Sequence, residues 1–131
     1  MIIGAVTFDS GNSEELSDFY QKLLGWSKRH YNAGGENFIA VYSENGPGPR
    51  LVFQEVSNYE KPVWPLKQGL QQQMVHLDFY VTQDEYEPAI QHAISCGAIV
   101  SEEQLSGEWI VMLDPAGHPF CIGPILPLKR S

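Results

Sequence analysis

Apolar and polar residues follow one another in the first part of the chain in an order that predicts a strand, a helix and three further strands. Residues 2–8 are short, apolar and rich in β-branched side chains, which is typical of a strand. The helix is predicted to have Asn12 as its N-cap, with Glu15 as the reciprocal partner, and to end at Gly25. Its apolar stripe has helical spacing and comprises Leu16, Phe19, Tyr20, Leu23 and Leu24. The following strands are predicted at residues 26–31, 37–42 and 50–56.

The same order of elements returns in the second part of the chain. Residues 74–81 are predicted to form a strand, and a helix is expected from Asp84, with Glu87 as its capping partner, to Gly97. Pro88 is compatible with this helix because it lies in the first turn. The apolar side of the helix comprises Ala89, Ile90, Ala93 and Ile94. Three more strands are predicted at residues 98–102, 108–113 and 118–123.

The two parts therefore form an internal repeat. A shift of 71 residues places Val6 on Leu77, and it aligns the two predicted helices as well. We interpret the chain as a duplicated module. The predicted boundaries are about 1–56 for module one, 57–73 for an ordered connector and 74–125 for module two. Because one such module buries too little of its own sheet, we expect the pair to share a core in one domain over residues 1–131.

Strand alternation assigns the faces of the first strand in each module. Val6, Phe8, Leu77 and Phe79 are expected to face the helices. The opposite face then receives Ala5, Thr7 and Asp9 in module one and His76, Asp78 and Tyr80 in module two. If the two sheets curve around one space, these residues line a pocket. Trp64 on the connector and Trp109 on a strand are candidates for its aromatic wall.

Composition and charge exclude several functions. The 131 residues carry 8 Lys and Arg against 16 Asp and Glu, and the resulting formal charge of −8 argues against a nucleic-acid partner. No apolar run is long enough for a membrane helix, and we expect no signal peptide because residues 1–4 lack a basic region followed by an apolar stretch. Cys96 and Cys121 make no disulfide framework, so a cytoplasmic protein with reduced thiols is expected.

Several segments resemble a known family. DFY at 18–20 and LLGW at 23–26 resemble the first-helix signature of the vicinal oxygen chelate superfamily, which includes glyoxalase I, the bleomycin-resistance proteins and the extradiol dioxygenases. HLDF at 76–79, PVWP at 62–65 and the segment 109–121 are similar to its glyoxalase-like domain proteins. The resemblance implies an α+β fold of two tandem βαβββ modules, which form curled mixed sheets around a cleft. It also implies a homodimer.

The resemblance further implies where a metal would bind. In metal-using members, four positions on the first and last strands of the modules carry His, Gln or Glu. By motif, these positions are Ala5, Gln54, His76 and Cys121 in this sequence. Ala5 cannot ligate, Gln54 is a neutral oxygen donor, and Cys121 ligates only when deprotonated. We therefore expect no tightly bound metal cofactor, with His76 and Gln54 as the candidate ligands if a divalent ion does bind.

Three functions remain open. The leading hypothesis is a cytoplasmic homodimer of the glyoxalase/bleomycin-resistance type that binds a small molecule. The candidate ligand-binding residues are Gln54, Trp64, His76, Asp78, Tyr80, Trp109 and Cys121. His76, beside the carboxylate of Asp78, is the candidate catalytic base for proton transfer. One alternative is a metal-dependent lyase, isomerase or dioxygenase, in which His76 and Gln54 recruit a further carboxylate. The other is a non-catalytic interaction protein whose cleft is filled by side chains.

Overall fold

The computed structural model describes residues 1–46, 48–104 and 107–124. The first part contains β1 (Ala5–Ser10), α1 (Ser13–Leu24), β2 (Ser27–Ala33), β3 (Glu36–Tyr42) and β4 (Arg50–Glu55). The second part contains β5 (Leu77–Val81), α2 (Tyr86–Cys96), β6 (Ile99–Val100), β7 (Ile110–Leu113) and β8 (Pro119–Pro124). Residue 125, the predicted end of module two, lies outside the described residues. Within the described ranges, no helix has the length and apolarity needed to cross a bilayer.

The chain divides into two compact units, unit one (Met1–Lys61) and unit two (Pro62–Ser131). Each contains one four-stranded mixed sheet, in the order β1-β4-β3-β2 in unit one and β5-β8-β7-β6 in unit two. The first and last strands of each unit pair in parallel, while the other neighbours are antiparallel. The predicted α+β fold of two βαβββ modules is thus confirmed.

The first helix has the ends that its sequence predicts. Asn12 is extended, and its side-chain oxygen accepts a hydrogen bond from the backbone N–H of Glu15 at 3.0 Å. The reciprocal bond from the backbone of Asn12 to the carboxylate of Glu15 is not formed among the described residues. Gly25 ends the helix at a φ of 66°, in the left-handed region that glycine adopts without strain.

The core of unit one forms where α1 covers one face of the sheet. Leu16, Phe19 and Tyr20 are buried, as the stripe predicts. Tyr20 stacks on Phe8 of β1 and Phe53 of β4, with ring centroids 5.4 and 5.6 Å away, and these two Phe rings are themselves 5.4 Å apart. Three aromatic rings from one helix and two adjacent strands thus fix the helix on the sheet.

The start of the second helix differs from its prediction. A single turn of 3₁₀-helix occupies Gln83–Glu85, and α2 begins only at Tyr86. No side chain caps either segment, so the predicted capping box of Asp84 and Glu87 is wrong. The physical reason is that a capping residue needs extended backbone, whereas Asp84 lies inside the 3₁₀ turn. Pro88 does lie in the first turn of α2, as predicted.

Several predicted boundaries also shift. The first strands begin at Ala5 and Leu77, later than the predicted residues 2 and 74, and their first register partners are Arg50 on β4 and Phe120 on β8. The predicted strand 98–102 shortens to two residues, and the strand predicted from 108 begins at 110. Ile94, predicted on the apolar side of α2, is 42% exposed. Apolar composition alone therefore overestimates both strand length and burial.

Burial confirms the predicted faces of the first strands. In β1, Phe8 is buried, whereas Thr7 and Asp9 are exposed. In β5, Phe79 is half-buried and in ring contact with Phe120 of β8, whereas Asp78 and Tyr80 are exposed. The first strand of each unit therefore carries exposed polar side chains on the face opposite its buried aromatic residue.

Candidate ligand site on the second sheet

Three chemically active side chains meet on the exposed face of the second sheet. His76 immediately precedes β5, Asp78 lies within it, and Cys121 lies on β8. Asp78 and Cys121 are partners in the parallel β5–β8 register, which places them side by side on one face. One donor atom from each of the three residues lies within 4.8 Å of the other two. Within the described part of the chain, this is the one group of His, Cys and acidic residues that converges closely enough to hold a metal ion.

The imidazole of His76 pairs with the carboxylate of Asp78. Nε2 of His76 lies 3.3 Å from Oδ1 of Asp78, and each side chain is 40% exposed. Because an ionised carboxylate only accepts hydrogen bonds, this contact favours the proton on Nε2 and leaves Nδ1 as an acceptor. An oriented imidazole with one basic nitrogen available is the arrangement that general-base chemistry requires.

The thiol of Cys121 donates a hydrogen bond to the same carboxylate. Burial, the negative charge of Asp78 and the hydrogen bond to its carboxylate, in decreasing order of effect, together raise the pKa of Cys121 to about 11. The thiol is therefore protonated at neutral pH, which makes it a poor nucleophile. Asp78 is the shared acceptor that holds both His76 and Cys121 in place.

This coupling predicts how the thiol responds to the loss of its neighbour's charge. In a Cys96→Ser background, Asp78→Asn should lower the pKa of Cys121 and speed its alkylation by iodoacetamide several-fold at pH 8. With Asp78 intact, the rate should climb with pH up to about 11, the pKa of the thiol. Mass spectrometry of the modified chain measures both effects. Asp84→Asn removes one carboxylate elsewhere and is the control; equal rates in the two Asn variants would contradict the assignment.

An aromatic pair adjoins this polar cluster. Tyr80, two residues beyond Asp78 on β5, and Trp109, just before β7, meet edge to face with centroids 5.3 Å apart. The indole lies against the backbone of Gly123, the register partner of Tyr80 on β8. A Cβ at Gly123 would stand 2.4 Å from two ring atoms of Trp109, so only glycine permits this approach. The pair forms a partly exposed aromatic wall beside His76 and Asp78.

Two of the predicted ligand residues lie elsewhere. Gln54 belongs to β4 of unit one, where its side-chain amide donates to Asp9, its register partner, at 2.6 Å. Trp64 is half-buried in the segment before β5, next to a cis peptide bond to Pro65. Its indole N–H is buried without a hydrogen-bond acceptor among the described residues. The structure thus places the other predicted ligand residues on the second sheet, namely His76, Asp78, Tyr80, Trp109 and Cys121.

Sequence reasoning missed a pair of cations on the first sheet. Arg29 on β2 and Arg50 on β4 border one cavity on the face opposite α1. The alternation of side chains that assigned the faces of β1 would have placed both arginines on one face if it had been applied to β2, β3 and β4 as well. That step needs the register between strands, which the sequence does not contain.

Two βαβββ modules with mixed sheets, and an exposed face that carries polar and aromatic side chains, define the fold class of the vicinal oxygen chelate proteins. Residues 5–123 match the family model described as glyoxalase-like domain, and the chain belongs to this family. No curated protein matches the sequence.

Solved structures share this fold at low sequence identity. The fosfomycin resistance protein FosX from Listeria monocytogenes is 13% identical with a TM-score of 0.66, over 99% of this chain and 94% of that one. TnmS3, an antibiotic binding protein from Streptomyces sp. CB03234, is 12% identical with a TM-score of 0.63, over 95% of both chains. A glyoxalase/bleomycin resistance protein/dioxygenase family enzyme from Burkholderia phytofirmans PsJN is 17% identical with a TM-score of 0.64, over 94% and 98%. At these identities the likeness shows the fold alone.

Proposed function

We propose that the protein binds a small molecule on the exposed face of its second sheet. The observation that carries this proposal is the meeting of an oriented polar pair, His76 and Asp78, with an aromatic wall, Tyr80 and Trp109. Ligand sites combine a few convergent polar groups with aromatic surface in this way. The ligand presents a hydrogen-bond donor to Nδ1 of His76 and a flat or apolar part to the wall.

Two proteins of the same fold support the proposal that this chain binds a small molecule. FosX is a fosfomycin resistance protein, and TnmS3 is an antibiotic binding protein. The free thiols of Cys96 and Cys121 support a cytoplasmic location.

The same face supports proton transfer on a bound ligand. Nδ1 of His76 accepts a proton from the ligand, and the carboxylate of Asp78 stabilises the imidazolium that results. The protonated thiol of Cys121 donates to the same carboxylate, which helps to hold it aligned with the imidazole. Binding without turnover needs only the hydrogen bond between the ligand and Nδ1 of His76. Recovery of the ligand unchanged distinguishes binding alone from proton-transfer catalysis.

A ligand screen with a matched variant tests the binding proposal. Aldehydes, thiol adducts, catechols and cationic antibiotics are added to the protein, and a compound that binds raises the melting temperature. A ligand at a concentration of 100 times its Kd raises the free energy of unfolding by about 2.7 kcal/mol. His76→Ala should abolish the shift while keeping the melting temperature of the free protein, because the side chain is 40% exposed. Trp109→Ala should weaken the same shift.

Two outcomes would count against the proposal. A binder that shifts His76→Ala and Trp109→Ala as strongly as wild type binds elsewhere. If no compound of any class shifts wild type, the non-catalytic interaction protein becomes the better hypothesis.

The convergence of His76, Asp78 and Cys121 favours a second candidate function, a metal-dependent enzyme. The donors are an imidazole, a carboxylate and a thiol, which zinc binds as its thiolate, and catalytic zinc sites combine three protein ligands with one open position. Asp78 is a carboxylate ligand that the four family positions do not include. These three residues fit a borderline-soft divalent ion, which would polarise a bound oxygen and lower the pKa of the thiol.

Metal analysis separates the two candidates. Protein purified without chelator is assayed for metal content and then titrated with Zn²⁺, Ni²⁺, Mn²⁺ and Fe²⁺. The leading proposal expects less than one tightly held ion per chain. Stoichiometric metal that is lost in both Asp78→Ala and Cys121→Ser would favour the enzyme instead.

A further inference from the structure

We infer that unit one carries a binding site for an anionic group, on the face of its sheet opposite α1. The site is the cavity between Arg29 of β2 and Arg50 of β4, flanked by Tyr31 and Tyr42. It shares no residue with the candidate site on the second sheet, and it stands whether or not that site binds a ligand.

Strand register creates the cavity. β3 lies between β2 and β4, and Ala40 of β3 is the register partner of Arg29 on one side and Val52 on the other. Arg50 lies two residues from Val52, so both arginines extend from the same face as Ala40. The methyl group of Ala40 is too small to fill the space between them, and a cavity of about 290 Å³ remains with Ala40 as its floor.

The charge of this cavity is unusual for the protein. The chain carries 16 acidic against 8 basic residues, yet no Asp or Glu lines the cavity in the part of the chain that the structure describes. Within the described residues, neither Arg29 nor Arg50 forms an ion pair, whereas Lys28, between Arg29 and Ser27 on the same strand, pairs with Glu14 at 2.8 Å and Asp18 at 2.7 Å. Two guanidinium groups that border one cavity without a counter-charge among the described residues favour a bound anion, which supplies that charge.

The arginines are also arranged to donate hydrogen bonds. The guanidinium of Arg50 lies 5.7 Å from the centre of the Tyr42 ring, which restricts its position. Because the N–H groups lie in the plane of the guanidinium, stacking on a ring leaves them available. Tyr31 and Tyr42 also line the cavity, and a phenol hydroxyl can donate a hydrogen bond.

These donors fit the oxygens of a carboxylate, phosphate or phosphonate, which arginine binds through two parallel hydrogen bonds. A metal cation or an amine does not fit, because the lining offers no acidic group. The volume admits the anionic group and a small body attached to it. The geometry therefore points to an organic anion, and free inorganic phosphate shares the same chemistry.

Calorimetry on the full chain with inorganic phosphate and phenyl phosphate tests this site. We expect both to bind, and phenyl phosphate to bind more tightly, since its ring can contact Tyr31 or Tyr42. Arg29→Ala and Arg50→Ala should each weaken binding by about tenfold or more. Arg50→Lys should also weaken it, because lysine keeps the charge but loses the planar donor pair. Both arginines are exposed, so the variants should fold.

Lys22→Ala is the control, since it removes one exposed positive charge on α1 and leaves the cavity intact. Equal affinities for the two probes would restrict the site to the phosphate ion and overturn the organic ligand. Absence of binding by either probe, or losses in the arginine variants no larger than in Lys22→Ala, would overturn the site itself.

Discussion

Replacing Phe53 by alanine is expected to cost about 3–5 kcal/mol of the free energy of unfolding. Phe53 is fully buried at the centre of β4, and its ring stacks on both Phe8 and Tyr20. The substitution leaves a cavity between sheet and helix and removes two ring contacts, each worth about 0.5–1.5 kcal/mol beyond the buried area. Since small domains are stable by only about 5–15 kcal/mol, this one change should bring the protein close to unfolding.

Chemical denaturation measures the loss, and two substitutions control for it. Phe53→Leu keeps most of the volume and should cost clearly less, under about 1.5 kcal/mol if the core repacks. Ile99→Ala removes an apolar side chain that is 61% exposed and should change stability by no more than about 0.5 kcal/mol. A loss in Phe53→Ala as small as that in Ile99→Ala would show that the three rings do not form the core of unit one.

Local patterns predicted the fold because its elements are specified locally. The stripe on α1, its cap at Asn12 and its end at Gly25 all lie within one stretch of the chain, and the structure has each of them. The repeat then extended the prediction to the second module. The capping box at Asp84 failed because the 3₁₀ turn before α2 depends on how the chain leaves β5. The identities of Asp84 and Glu87 do not specify the course of the chain between β5 and α2.

The candidate site was predictable only in part, for the same reason. Alternation along β5 placed His76, Asp78 and Tyr80 on one face, and the structure agrees for Asp78 and Tyr80. The hydrogen bond from Cys121 to Asp78 depends on the register between β5 and β8, more than 40 residues apart. Likewise, the hydrogen bond from the Gln54 amide to Asp9 depends on the register between β1 and β4, which the family positions do not specify.

Gly123→Ala is expected to lower the free energy of unfolding by about 1–3 kcal/mol and to displace the indole of Trp109. The new Cβ would stand 2.4 Å from two atoms of a rigid ring, much closer than carbon atoms approach one another. Trp109 has to move, and its contact with Tyr80 is lost or altered. The same change should therefore weaken any ligand that uses this wall, although His76 and Asp78 keep their geometry.

A double-mutant cycle isolates the cause of this loss. In a Trp109→Ala background the ring is absent, so Gly123→Ala should cost almost nothing beyond the first substitution. Gly4→Ala is the matched control, because a Cβ there meets no atom within 4 Å and the residue has no positive φ. If Gly123→Ala costs as much without the indole as with it, close approach of Trp109 is not what requires glycine at this position. A coupling energy between residues 109 and 123 would instead show that glycine is required at position 123 because the indole of Trp109 packs against it beside the polar pair.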